Sequence, residues 1–157
     1  MDSIKQVGYQ AKQRELTEDE PDIIIHRLIE LRDTTDNPMI KMATPKVARA
    51  KLLKMSQSDM VDVVYSGDRF LGIVVYDAGS QWYGSFRVLI EISVLCVDKE
   101  LAGFGRAAIT ILERRAEWVG AKYILSGNSA MNPKVTPMYT KKGFKSYPVF
   151  YKEVLNG

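Results

Sequence analysis

The sequence predicts a single α/β domain built on a mixed, strongly twisted sheet flanked by helices. Three observations predict it. Residues 90–97 (IEISVLCV) form an apolar, β-branched run of strand length, followed by a glycine-containing turn and an amphipathic helix. Two shorter runs, 61–65 and 69–76, flank Ser66-Gly67-Asp68 and read as a hairpin. After the helix, residues 122–126 read as a further short strand. A strand, a crossover helix and a strand pair in parallel with right-handed connection, whereas a hairpin pairs antiparallel. The sheet is therefore expected to be mixed.

The bulk numbers fit that class. A chain of 157 residues makes one domain, here 1–157, with a core that needs no staples. Hydrophobic residues make up 46% and charged residues 26%, as in ordinary globular proteins. No apolar run approaches the roughly 18–20 residues of a membrane span, and the first five residues, MDSIK, show no signal-peptide pattern. A cytoplasmic protein is the expectation. The one cysteine excludes an internal disulfide and a Cys-based zinc site. A net charge of +3 suits an anionic ligand but does not by itself argue for nucleic acid.

Taken in order, residues 4–10 hold a first strand with poor alternation. Thr17-Glu18-Asp19-Glu20 is a capping box, and a helix follows to about Asp33. Ile24, Ile25, Leu28 and Leu31 share its apolar face, and its acids lie in the first turn, where the helix dipole favours them. Pro21 belongs in that first turn. Residues 33–38 are a loop. Thr44-Pro45 starts a second helix to about Gln57, with Ala48, Leu52 and Met55 inward. Lys46, Arg49, Lys51 and Lys54 make its outer face basic, which reads as a solvated surface or as a face for an acidic acceptor or partner. Residues 77–86 form a connection carrying Trp82, Tyr83 and Phe86. The strand over 88–97 is expected to be buried on both faces, apart from Glu91 and Ser93. The helix after it presents Ile109, Leu112, Ala116 and Val119 on one face and stops at Gly120. Residues 132–142 hold another helix with Pro133 in its first turn, and Gly143 ends it. Residues 144–154 are expected to be a last strand, which Pro148 confines to an edge or bulge.

The turn Asp98-Lys99-Glu100-Leu101-Ala102-Gly103-Phe104-Gly105 delivers its glycines to the start of a helix. Glycine admits close backbone approach, and the unpaired first-turn amides point at whatever sits there. A pyrophosphate is the expected guest; a plain tight turn needing positive φ is the competing reading. A second stretch, Asn132-Pro133-Lys134-Val135-Thr136-Pro137-Met138-Tyr139-Thr140-Lys141-Lys142-Gly143-Phe144, lies one short strand further on. Together the two stretches resemble the GNAT superfamily of acetyl-CoA-dependent N-acetyltransferases. Ala102-Gly103-Phe104-Gly105-Arg106-Ala107 stands where that family has Arg/Gln-x-x-Gly-x-Gly/Ala. Asn132, Val135, Met138, Tyr139, Gly143 and Phe144 match its later signature in register. The resemblance spans about residues 60–153 and is weaker before that.

The resemblance implies acetyl transfer from acetyl-CoA to a primary amine by direct attack in a ternary complex. It implies amides of Gly103, Phe104, Gly105, Arg106 and Ala107 around the pyrophosphate, with charge from Arg106. It also places Leu95, Cys96 and Val97 against the pantetheine arm, where two strands splay apart. Asn132 would lie beside the pantetheine or cap its helix. Ala102 departs from the family's Arg or Gln, a side chain that braces the loop or touches phosphate, so weaker cofactor binding is expected. Tyr139 is the implied general acid, facing the sulfur; a core aromatic is the other reading. The acceptor is expected from the side of the first two helices and the 77–86 connection, where Trp82, Tyr83 and Phe86 line the entrance or simply pack. The family also pairs through sheet edges or C-terminal strands, which allows a homodimer.

Glu91 is the candidate base. It is a carboxylate in an otherwise apolar strand, and burial raises such a pKa toward a useful range. It lies six residues before Val97, where histone-type members carry a strand glutamate. A surface-pointing glutamate, with the amine losing its proton through water, is the alternative. Members that use the next strand for this glutamate have no counterpart here, since the chain reads Ser126-Gly127-Asn128. His26, the one histidine, sits on the first amphipathic helix as a structural residue, and Cys96 reads as a small buried hydrophobe. No Gly-Lys-Ser/Thr loop supports nucleotide hydrolysis. No metal ligand set is expected. A non-catalytic module that keeps the fold as a CoA- or protein-binding scaffold remains the second reading.

Overall fold

The computed structural model describes residues 3–6, 8–99, 101–127 and 132–155, with backbone only for 3–6. Val7 of the expected first strand, Glu100 of the turn and Asn128 lie outside the described residues. Among the described residues, six strands form one sheet in the order β1-β2-β3-β4-β5-β6. They are β1 (Ser3–Gln6), β2 (Tyr9–Gln13), β3 (Val61–Ser66), β4 (Arg69–Ser80), β5 (Arg87–Cys96) and β6 (Ala121–Leu125). The first four pairings are antiparallel and β5–β6 is parallel, so the sheet is mixed. Among the described residues, the helices that accompany it are α1 (Glu20–Thr34), α2 (Pro38–Lys41), α3 (Pro45–Gln57), α4 (Phe104–Val119) and α5 (Val135–Lys141).

Period-2 alternation divides the core between the two faces of the sheet. Val61, Val63, Ile73 and Val75 pack with Ile24 of α1 and Leu52 of α3. Val64, Val74, Tyr76 and Leu89 pack with Ala108, Ile111, Leu112 and Ala116 of α4. Asp62 shares the α4 face and is fully buried there, where Arg115 grips it through two hydrogen bonds of 2.8 Å. The Tyr76 hydroxyl donates to the same carboxylate at 3.2 Å. Arg115 also lies 4.5 Å over the Trp118 ring. Stranding either charge in that core would cost about 3–5 kcal/mol, so the pair fixes α4 against the sheet.

Several local expectations are revised. The single strand over residues 4–10 is a hairpin, β1 and β2, turning at Gly8 with φ 79°. The Glu20 carboxylate does reach back to the Thr17 amide at 2.9 Å, and Pro21 sits in the first turn of α1. The 33–38 loop leads into α2, which Asn37 caps by accepting from the Met39 amide at 2.9 Å. β4 runs on to Ser80, which shortens the following connection. β5 is not buried on both faces: Ile90 and Ile92 are 39% and 44% exposed. Residues 144–155 carry no strand. Pro148 lacks a ladder donor, and a cleft of about 300 Å³ lies between residues 144–149 and β6. Among the described residues no helix is long and apolar enough to cross a membrane.

Candidate active site

The site is set by where β6 leaves β5. The parallel register runs from Arg87 opposite Ala121 to Ile90 opposite Leu125 and stops there, while β5 continues to Cys96. Glu91 is the first residue past the parting. Across β5, the register with β4 slips between Val75 and Tyr76, so that Ile92 is the extra residue of a bulge beside Glu91. The Val97 amide bonds the Leu71 carbonyl at 2.8 Å, and Leu95 lies opposite Ile73. Main-chain groups alternate between the two edges of a strand, so those of Leu95 and Val97 serve β4 and those of Val94 and Cys96 face the opened side. A cleft of about 340 Å³ fills the opening, lined by Glu91, Ser93, Leu95, Ala108, Met138 and Tyr139, and closed by Leu28, Leu31 and Ile40 of the first two helices. The Cys96 thiol donates to the Asp98 carbonyl at 3.2 Å, and burial raises its pKa.

Tyr139 bridges the parting. Its hydroxyl donates to Glu91 Oε1. The ring stands edge-on to Phe144, with centroids 4.9 Å apart. Tyr139 also lines the second cleft, between β6 and residues 144–149, so it stands between two openings. Burial holds Glu91 above the ordinary carboxylate range; the Tyr139 hydrogen bond, Ser126 and the Gly127 amide offset this in part. Burial, together with the Glu91 carboxylate beside it, raises the Tyr139 hydroxyl well above the ordinary tyrosine range. The result is a carboxylate ready to take a proton and a phenol that keeps its own through neutral pH.

The turn opens a third hollow, of about 350 Å³, at the N-terminus of α4. Gly103 takes φ 80°, the left-handed conformation that glycine adopts without strain. The Ala107 amide already bonds the Gly103 carbonyl at 3.0 Å, so the first-turn amides without a helical partner are those of Phe104, Gly105 and Arg106. The Phe104 ring is buried in the core, and Ala107 is buried beside it. A side chain at Gly105 would enter the hollow: its Cβ would lie 2.7 Å from Met138 Sδ. Such a bare, amide-lined cradle at a helix start fits a pyrophosphate.

The chain lacks a family Arg or Gln at Ala102, yet the loop is braced. The Tyr9 hydroxyl of β2 donates to the Ala102 carbonyl at 2.6 Å, and its ring leans on Phe104. Asn132 Oδ1 accepts from the Lys134 amide at 3.0 Å and so shapes the turn into α5.

No protein-family model and no curated protein sequence matches the chain. Solved structures do. A GCN5-related N-acetyltransferase from Ralstonia eutropha JMP134 superposes with TM-score 0.70 at 15% identity, over 94% of this chain and 99% of that one. A possible acetyltransferase from Clostridium difficile 630 gives 0.69 at 14% identity, over 94% and 99%. A Trypanosoma brucei acetyltransferase gives 0.63 at 21% identity, over the same shares. The chain has the GNAT fold. These structural neighbours are acetyltransferases by name, one of them a possible one.

Of the two helices expected at the entrance, α1 closes the cleft with Leu28 and Leu31, while α3 lines none of it and Ile40 of α2 takes its place; Trp82, Tyr83 and Phe86 line neither opening at Tyr139. They pack on one another and on Tyr123 of β6. His26 is exposed and contacts Glu30 at 3.2 Å. On α3, Arg49 pairs with Asp22 of α1 at 2.7 Å. Sequence reasoning missed Tyr9, whose partner lies 93 residues away. It also missed Lys134 and Lys141, which line the hollow at the turn. Their spacing with Pro137 and Met138, at i, i+3, i+4 and i+7, marks one helical face and was the available signal.

Proposed function

We propose that this protein transfers an acetyl group from acetyl-CoA to a primary amine by direct attack in a ternary complex. One observation carries the reading: the Tyr139–Glu91 hydrogen bond closes the point where β6 leaves β5, next to the amide cradle. The cradle of Phe104, Gly105 and Arg106 amides would hold the pyrophosphate. The opened edge of β5, with the main-chain groups of Val94 and Cys96, would pair with the amides of the pantetheine arm as an added strand does. Acetyl-CoA, bound there, supplies an activated thioester.

Glu91 accepts the proton that the amine sheds as its nitrogen bonds to the thioester carbon. Tyr139 donates its hydroxyl proton to the sulfur as the carbon–sulfur bond breaks. Because the two groups share a hydrogen bond, the proton gained by Glu91 can restore the one lost by Tyr139. The leucines and isoleucine of the first two helices keep water from the thioester.

A pH–rate profile tests the assignment. Glu91 must be ionised to accept the proton, and burial raises its pKa above the ordinary value of 4.5. The kcat/KM of the wild type is expected to rise with pH through a midpoint above that value. No fall from Tyr139 is expected until strongly alkaline pH, because its pKa is raised too. Glu91→Gln is expected to remove the acidic limb and lower the plateau about a hundredfold. A variant profile identical to the wild type would assign deprotonation to water.

A further inference from the structure

Ser126 follows the last residue of β6 and stands beside the two openings at Tyr139. Its hydroxyl oxygen is buried and meets no hydrogen-bond partner in good geometry among the described residues. An alanine there would spare the fold the cost of burying an unmet polar group. The oxygen is nonetheless close to both members of the candidate pair. Burial is the largest influence on the pKa values of Glu91 and Tyr139 and raises them, and Ser126 pulls both back down. The two openings share Tyr139 and little else. Glu91 lines the cleft closed by α1 and α2 and not the second one, whereas Ser126 lines the second cleft and not the first. Glu91, Tyr139 and Ser126 therefore run through the parting of β5 and β6, from one cleft to the other.

We propose that Ser126 is the proton outlet of this site, passing to water in the second cleft the proton that Glu91 takes from an incoming ammonium. The inference rests on the function proposed above and adds the step that precedes attack. A primary alkylamine reaches the site protonated at neutral pH. Each turnover must then release one proton to solvent: the ammonium and acetyl-CoA give the amide, the CoA thiol and a free proton. The hand-over from Glu91 to Tyr139 accounts for the proton shed during bond formation and not for this one. The way back is shut, since acetyl-CoA and the amine fill the first cleft, whose rim of Leu28, Leu31 and Ile40 is apolar. The second cleft, of about 300 Å³, lies beyond Tyr139 and has room for several waters. Glu91 gives its proton to the Ser126 oxygen as the Ser126 hydroxyl proton passes to water, which leaves Glu91 ionised and the amine neutral. Among the described residues, the charged or titratable side chains along this path are Glu91 on β5, Tyr139 on α5, and Lys145 and Tyr147 after α5.

The test compares two amines of similar size with saturating acetyl-CoA at neutral pH. Ethylamine arrives as an ammonium, whereas the fluorines of trifluoroethylamine keep its nitrogen largely unprotonated, so that it has no proton to send out before attack. Ser126→Ala is expected to lower kcat/KM about tenfold for ethylamine and to leave it nearly unaltered for trifluoroethylamine. Ser126→Thr, which retains a hydroxyl, is expected to keep the wild-type ratio. The thermal midpoint of Ser126→Ala should match or exceed that of the wild type, because only an unpartnered oxygen is removed. Equal losses with both amines would assign Ser126 to packing around Tyr139. Unaltered rates with both would show that the proton leaves another way, and a lowered midpoint would show that the oxygen has a structural partner. Each of these overturns the inference. A wild type that releases no thiol from acetyl-CoA with either amine would instead overturn the transfer to primary amines proposed above.

Discussion

Replacing Gly105 with glutamate is expected to abolish binding of acetyl-CoA, a loss of at least about a hundredfold. Gly105 lies in the first turn of α4, where its amide has no helical partner. A Cβ there meets only the sulfur and methyl end of Met138, at 2.7 and 2.9 Å. Those atoms end a flexible side chain and can move aside, so the variant should fold. The glutamate side chain would then occupy the cradle and set a negative charge among the amides, Arg106, Lys134 and Lys141. It would replace the ligand's phosphates with the protein's own anion. Calorimetric titration against a folding control by circular dichroism checks this. Wild-type affinity in the variant would remove the turn as the phosphate site.

Tyr139→Phe is expected to lower kcat about a hundredfold while leaving CoA affinity nearly intact. The ring keeps its edge-on contact with Phe144, so packing is preserved. Only the hydroxyl is lost, and with it the bond to Glu91. The thiolate would then leave without a positioned proton donor. Because the two groups share one hydrogen bond, their effects should not add. The double variant with Glu91→Gln is expected to cost little more than the worse single one. Steady-state turnover together with calorimetric affinity separates the outcomes. Unchanged turnover would remove Tyr139 as the acid, and additive losses would separate it from Glu91.

The parts legible in the sequence were those with local signals. The glycines of the turn, the 3.6-residue periodicity of α4 and the asparagine-to-phenylalanine register of α5 each depend on neighbours along the chain. The candidate pair was legible too, since a lone carboxylate in an apolar strand and a tyrosine in a spaced signature both stand out. That they touch was not, because 48 residues separate them. Asp62 and Arg115 are likewise invisible as a pair: each reads as a surface charge until the sheet brings β3 under α4. Tyr9 gave no sign of bracing Ala102, because its strand alternates poorly and its partner is a carbonyl. The β1–β2 turn hid within one short polar run. The last strand failed for a different reason. Residues 144–155 carry suitable side chains, but a strand also needs a partner backbone, and composition does not say whether one is in reach.

The measurement that tests the central claim most directly is calorimetric titration of the wild-type protein with acetyl-CoA, with CoA alongside. The amide cradle, with Arg106, Lys134 and Lys141 around it, and the opened edge of β5 predict micromolar binding of both, followed by thiol release when an acceptable amine is added. No binding at millimolar ligand would contradict the account. It would mean that the GNAT fold here has parted from its cosubstrate and serves as a scaffold for protein partners.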